Sequence, residues 1–197
     1  MRVVIIDNGG ANIASLGFAL ERLACTPTLS SDASTVRAAT HVILPGVGAA
    51  AAGMSRLERN GLVDVIASLK QPVLGICLGM QLLFEHSEEG NAKCIGSIAG
   101  TATRLRGAPD RPVPHTGWNQ LAIERTSPLL LGVTAGEYVY FVHSYAVPCN
   151  TSTIASCGYG GQFSAAVESR NFFGTQFHPE RSAGTGARIL ANFLRLG

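Results

Sequence analysis

The chain has 197 residues, 46% hydrophobic and 14% charged, with a formal net charge of +2. That balance excludes a disordered chain, which needs low hydrophobicity and high net charge, and it offers neither a basic stripe for nucleic acid nor a polybasic patch for a membrane surface. No run approaches the roughly 20 apolar residues that span a bilayer, and the apolar start Val3–Ile6, closed by Asp7, is too short for a signal peptide.

Val3-Val4-Ile5-Ile6 reads as a strand buried on both faces, because its apolar character is continuous rather than alternating. Residues 11–25 follow as a helix, with Ile13, Leu16, Ala19, Leu20 and Leu23 at spacings of three and four. Val42-Ile43-Leu44 is the next strand, ended by Pro45-Gly46-Val47-Gly48. Residues 49–69 read as one helical stretch carrying Met54, Leu57, Leu62, Val65, Ile66 and Leu69. Val73-Leu74-Gly75-Ile76 is the third strand and Leu78–Glu85 the third helix. This order predicts an α/β fold with a mostly parallel, doubly wound sheet and helices on both faces. Between residues 95 and 170 the pattern changes to short mixed strands, broken by Pro109, Pro112, Pro114, Pro128 and Pro148. We expect a small antiparallel extension there, residues 1–197 forming a single domain. Strands at Tyr138–Val142 and Phe172–Phe177 and a helix at Gly186–Leu196 complete the pattern.

The five cysteines, at 25, 77, 94, 149 and 157, are odd in number and form no CxxC pair. A reducing, cytoplasmic compartment is the simpler reading, without structural zinc.

One segment points to chemistry. Gly75-Ile76-Cys77-Leu78-Gly79 has the form G-x-C-x-G between a predicted strand and a predicted helix, the layout of a nucleophile elbow. A cysteine alone reads as a buried core residue. The flanking glycines permit a sharp turn, and the helix N-terminus favours a thiolate. Such a nucleophile needs a base and an orienting group. His178 stands in Gln176-Phe177-His178-Pro179-Glu180, where Pro179 disfavours a helical His178. In an extended chain Glu180 then lies on the same side as His178 and can fix its tautomer. Alone, His178 reads as a polar cap at a strand end. Acyl transfer also needs amide donors for an oxyanion. The backbone N–H of Leu78 offers one, and the Gly46-Val47-Gly48 turn, otherwise only a tight turn, offers another. No GxxxxGK[ST] and no suitably placed GxGxxG occurs, so no nucleotide cofactor is expected.

Taken together, Pro45–Gly48, Gly75-Ile76-Cys77-Leu78-Gly79-Met80-Gln81 and Phe177-His178-Pro179-Glu180 resemble the class I, or triad, glutamine amidotransferases. His115–Asn119, Tyr140–Tyr145, Arg181-Ser182 and Met80 are similar to the glutaminase subunits of imidazole glycerol phosphate synthases, and the similarity runs from Asp7 to the last helix. Thr116 departs mildly, standing where a larger apolar residue is common. The resemblance implies that Cys77 attacks the side-chain amide of L-glutamine and forms a γ-glutamyl thioester. It implies that His178 relays protons, Glu180 orients His178, and the amides of Val47 and Leu78, with Gly46 and Gly48 beside them, hold the oxyanion. Gln81, Glu89, Ser144 and Tyr145 match positions that hold the glutamine backbone groups. Asn12 and Trp118 match segments that face a partner, a (β/α)₈-barrel cyclase that receives ammonia. No cofactor, metal or nucleic acid is implied. Other readings remain from the residues alone: a related cysteine hydrolase, an amidotransferase of another pathway, or a dead interaction subunit. In dienelactone-type hydrolases the acid precedes the histidine, whereas here Glu180 follows it.

Overall fold

The structure, a computed structural model, describes residues 1–9 and 13–197. The chain begins with strand β1 (Val3–Ile6), helix α1 (Ile13–Glu21), β2 (Thr28–Ser30), α2 (Ala33–Arg37) and β3 (His41–Leu44). Helices α3 (Ala50–Arg59) and α4 (Val63–Ser68) lead to β4 (Val73–Ile76) and α5 (Leu78–Leu82). Short strands β5 (His86–Ser87), β6 (Ala92–Lys93) and β7 (Thr101–Arg104) follow, then β8 (His115–Gln120) and β9 (Ala122–Ile123). The last part holds β10 (Tyr138–His143), β11 (Tyr145–Ala146), β12 (Thr153–Gly158), β13 (Gln162–Ser169), β14 (Phe172–Thr175) and α6 (Ala183–Phe193).

Eight strands form the main sheet in the order β2-β1-β3-β4-β14-β13-β12-β9. The pairs from β2 to β14 are parallel and those from β14 to β9 antiparallel. The parallel strands are continuous apolar runs because both their faces are covered. Val3, Ile5, Ile43, Leu74 and Ile76 pack on one face with Leu16 and Leu20 of α1 and Leu190 and Phe193 of α6. Val4, Ile6, Val42, Leu44 and Val73 pack on the other, with Val36, Leu57, Ile66 and Leu82 from α2 to α5. Side chains alternate across each strand, so one apolar run feeds two cores.

The antiparallel extension exists, but only β9, β12 and β13 join the main sheet. β8 and β10 pair separately, and β11-β7-β5-β6 form a third sheet in which β5 and β7 run parallel. The expected single helix over 49–69 is two helices. Gly61 adopts φ +63, its N–H bonds Glu58 O at 2.9 Å, and Leu62 N bonds Leu57 O at 2.8 Å. That is a Schellman stop, with Leu57 and Leu62 in the apolar contact that accompanies it. The same motif ends α1 early, with Ala24 at φ 57 and Cys25 N bonded to Leu20 O at 3.0 Å. β2 and α2 carry no strong periodicity. β2 is a largely exposed edge strand, and Asp32 caps α2 by accepting from Thr35 N at 2.7 Å.

The C-terminal ends of β3, β4 and β14 lie side by side, where open α/β sheets bind ligands. The turns after β3 and β4 touch backbone to backbone. A Cβ on Gly79 would run into Leu44 O, and one on Gly46 would come within 2.6 Å of Gly79 N. Gly79→Ala is therefore expected to lower the unfolding free energy by about 3 kcal/mol or more, measured by urea titration. Gly184→Ala, exposed in α6 with no neighbour within 4 Å of the new methyl, is expected to raise it by about 0.5 kcal/mol.

Candidate active site

Cys77 stands between β4 and α5 with φ 53 and ψ −112. A non-glycine residue there costs of order 1–3 kcal/mol and persists only where its surroundings hold it. Cys77 N donates to Thr175 O at 2.7 Å, and Gln81 N donates to Cys77 O at 3.2 Å. Gly75 is also required, since a Cβ would meet the Met80 backbone at 2.6 Å. The G-x-C-x-G spacing is thus steric on both sides of the cysteine.

His178 follows β14 and is anchored by its N–H to Tyr140 O at 3.0 Å. Ser182 Oγ donates to His178 O at 2.7 Å and accepts from Tyr140 N at 2.9 Å, tying this corner to β10. His178 Nδ1 bonds Glu180 Oε1 at 2.8 Å, with both side chains buried. The local geometry differs from the extended run expected. His178 itself is extended (φ −94, ψ 100), but Pro179–Arg181 form a 3₁₀ turn. Proline suits the first position of such a turn, so Glu180 meets the ring by turning back beneath it. Burial pushes the His178 pKa down, but hydrogen bonds and charges from Cys77 and Glu180 outweigh it and hold the value at about 10. The ring therefore carries a proton at neutral pH, facing the cysteine.

A cleft of about 310 Å³ opens over these groups. Gly46, Val47, Gly48, Cys77, Leu78, Gln81, Glu89, Ser144, Tyr145 and His178 line it, together with Pro114, Val142 and His143. Glu180 lies behind His178, against a smaller cavity with Pro45, Gly46 and Val47. Glu89 sits in a short 3₁₀ turn and accepts from Ala50 N, at the start of α3, at 2.9 Å. Trp118 lies outside the cleft on β8 and is 51% exposed. It meets Tyr140 edge to face at 5.9 Å, and the Arg181 guanidinium covers Tyr140 at 4.4 Å. Asn12 lies outside the described residues. Among the described residues, no group of three or more His, Cys, Asp or Glu could hold a metal ion, and no helix is long and apolar enough to cross a membrane.

Three buried residues with no role assigned from sequence belong to this site. His143 Nδ1 bonds Tyr145 O at 2.9 Å, and its Nε2 lies 3.0 Å from His115 Nδ1. A carbonyl only accepts, so His143 carries its proton on Nδ1 and His115 donates from Nδ1. Asn119 Nδ2 closes the series at 3.4 Å from His115 Nε2. Burial drives the pKa of His143 down to about 3 and that of His115 to about 4. His115 is stacked between Phe141 and Tyr159, at 4.9 Å and 4.0 Å, which leaves little room for water to solvate a charge. The third residue is Gln176, fully buried, whose Nε2 lies 3.7 Å from Cys77 Sγ. Its position two residues before His178 was the one sequence signal available.

A strained cysteine elbow on a parallel sheet and a histidine backed by a buried carboxylate line one small cleft, the parts that acyl transfer by a cysteine nucleophile needs. The family model described as glutamine amidotransferase class-I matches residues 4–196, and the chain belongs to that family. It is 54% identical to the imidazole glycerol phosphate synthase subunit HisH of Xylella fastidiosa (strain Temecula1), covering 98% of this chain and 97% of that one. It is 50% identical to subunit HisH 2 of Legionella pneumophila (strain Philadelphia 1), over 98% of each chain. Among solved structures, PurLQS from Thermotoga maritima matches with a TM-score of 0.73 at 20% identity, over 98% of this chain and 97% of that one. That likeness speaks for the fold.

The histidines set opposite limits on stability with pH. For His178 the folded pKa of about 10 lies above the ordinary 6.5, so its stabilisation is complete below 6.5 and lost as pH rises through about 10. For His143 and His115 the folded values lie below 6.5, so the unfolded chain takes up protons first and stability falls as pH drops from 6.5 toward 4 and 3. Urea unfolding across this range is expected to show His178→Gln flattening the alkaline limb. Imidazole ¹⁵N spectra are expected to show His115 and His143 still neutral at about pH 5.

Proposed function

We propose that the chain hydrolyses L-glutamine to glutamate and ammonia, with Cys77 as nucleophile, His178 as proton relay and Glu180 as its orienting partner. The observation that carries this reading is the contact of Cys77 and His178 with one cleft, with Glu180 bonded to His178 at 2.8 Å behind it. The Cys77 thiolate attacks the side-chain amide carbon, and the electron pair of the carbonyl moves onto oxygen. The N–H groups of Leu78 and of Val47, in the Gly46–Gly48 turn, receive that oxyanion. Removing one such donor typically costs about 10²–10³ in turnover. Collapse breaks the C–N bond, and His178 gives its proton to the leaving ammonia. Water then attacks the γ-glutamyl thioester, His178 takes the proton, and glutamate leaves.

Substrate selection follows from charge and donor count. Among the described residues Glu89 is the one carboxylate that lines the cleft, and it pairs with the α-ammonium. Gln81 spends its N–H groups on Tyr145 O at 2.8 Å and Gln176 Oε1 at 2.9 Å, so it turns its carbonyl toward substrate donors. Ser144 and Tyr145 hold the α-carboxylate end.

Ammonia released at neutral pH becomes ammonium, which is no nucleophile, so a glutaminase of this size needs an acceptor enzyme in contact with it. The relatives at 50–54% identity are named subunits of imidazole glycerol phosphate synthase, which supports a (β/α)₈-barrel cyclase as the partner, in histidine biosynthesis. The exposed Trp118, with Tyr140 and Arg181 beside it, is the face we assign to that partner, together with Asn12. Gly48, at φ +87, gives the oxyanion turn the freedom to reorient when partner and ribonucleotide bind. The five cysteines are free thiols, which supports a cytoplasmic setting.

Glutamate release should be measured with the chain alone, with the cyclase, and with the cyclase plus its ribonucleotide. The expected outcome is a large rise only in the last mixture. Cys77→Ala is expected to abolish it, and Glu180→Gln to reduce it by about 10²–10⁴, the range of general acid–base contributions. Equal rates in all three mixtures would overturn the gating, and no release in any would point to another pathway's acceptor.

A further inference from the structure

We propose that Gln176 is a dedicated hydrogen-bond donor to the Cys77 sulfur, aimed by Gln81 and the Tyr145 carbonyl, which stabilises the thiolate. The inference deepens the glutaminase reading and rests on Cys77 being its nucleophile.

The direction of the series is fixed at one end. Tyr145 O is a carbonyl and only accepts, and it takes hydrogen bonds from His143 Nδ1 at 2.9 Å and Gln81 Nε2 at 2.8 Å. The Gln81 amide must therefore present its NH₂ to that side. The same nitrogen lies 2.9 Å from the Gln176 side chain, and two amide nitrogens at that distance would repel. Gln176 must offer its Oε1 to Gln81, which leaves its Nε2 facing Cys77 Sγ at 3.7 Å. An amide whose flip is ambiguous in isolation is thus set by a backbone carbonyl two links away.

The surroundings argue that this N–H matters. Gln176 is fully buried and Gln81 nearly so, so a lost partner leaves a buried polar group unpaired. In a low-dielectric site a donor aimed at a charged sulfur stabilises it more than in water. His178 shares the sulfur but must give its proton to the leaving group, and while it has done so it no longer supplies a positive charge. Gln176 cannot titrate. It offers the same N–H before attack and when the thiolate leaves the second tetrahedral intermediate.

The titratable groups around Cys77 are His178 after β14, Glu180 behind it, His143 at the end of β10, and Tyr145 and Glu89 on the cleft wall. None is altered by Gln176→Met, which keeps length and removes the donor. Alkylation of Cys77 by iodoacetamide should be followed against pH with the chain alone, in a Cys149→Ser background because Cys149 is the exposed cysteine. Gln176→Met is expected to raise the alkylation midpoint by about one pH unit, a tenfold change in the ionisation constant. In the full complex it is expected to lower kcat about tenfold with little change in KM for glutamine. Gln176→Glu, which sets an acceptor or a charge against the sulfur, is expected to shift the midpoint further. An unchanged midpoint in folded Gln176→Met overturns the proposal. Should that variant not fold, the parent chain answers the same question. The Gln176 side-chain N–H resonances are expected to move as Cys77 ionises, and their staying fixed overturns it equally. The alkylation arm needs neither glutamine nor partner. A shifted midpoint with no glutamine turnover in any mixture would leave the donor in place and point to another acceptor or another amide substrate.

Discussion

The contact on which the site depends is between two pieces of backbone. Gly79, at the start of α5, lies against Leu44 O at the end of β3, and Gly46 lies against the Gly79 amide. Packed this closely, the turns after β3 and β4 leave no space for a side chain between them. Beside that contact Cys77 holds a positive φ that only its neighbours can sustain. The hydrogen bond from Cys77 N to Thr175 O fixes the elbow to β14 as well. The register that pairs Gly75 with Gly174 and Ile76 with Thr175 then brings the chain after β14 to the cysteine. The steric contact holds the two turns together, and the pairing with β14 adds His178.

The floor of the cleft is a second, polar constraint. From Cys77 outward, hydrogen bonds link Gln176, Gln81, Tyr145, His143, His115 and Asn119. Beyond the Cys77 sulfur every link is neutral. A half-satisfied buried network would cost more than an apolar core, whereas a satisfied one specifies a single arrangement. This network joins the strand ends of the main sheet to β8 and β10, which share no ladder with it. The cleft wall from β10 to β11 is thus held by side chains where backbone pairing does not reach.

The legible parts of the sequence were those in which one residue type has few physical uses. Continuous apolar runs marked β1, β3, β4 and β14 because a strand buried on two faces has no polar side to show. G-x-C-x-G marked the elbow because bulk on either side of Cys77 is sterically forbidden. Less legible were features that arise from tertiary meetings. Leu62 fits a helical period, yet it is the apolar residue beyond a Schellman stop, so the break between α3 and α4 was hidden by the contact that stabilises it. Glu180 reached His178 through a turn, because Pro179 starts one as readily as it forbids a helix before it. His115 and His143 are 28 residues apart and meet only through the pairing of β8 with β10. Gln176 has no chemistry of its own, and nothing in its local sequence says which way its amide points.

The opposite fates of three histidines in one small volume show how the fold assigns charge. His178 and His143 are both buried, and burial pulls both toward neutrality. His178 has a carboxylate at 2.8 Å and a cysteine beside it, so its proton is held to about pH 10. At His143 burial outweighs the one favourable bond to Tyr145 O, and the neighbouring imidazoles add to it, so it stays uncharged down to about pH 3. Two imidazolium ions this close would repel, and the proton on His178 itself helps to keep His143 neutral. The positive charge is thus confined to the ring that faces Cys77. A protonated His143 would keep its bond to Tyr145 O but lose the acceptor that His115 Nδ1–H needs. Neutrality at His143 and charge at His178 are therefore one requirement, met by placing a single carboxylate, Glu180, behind one of the two rings.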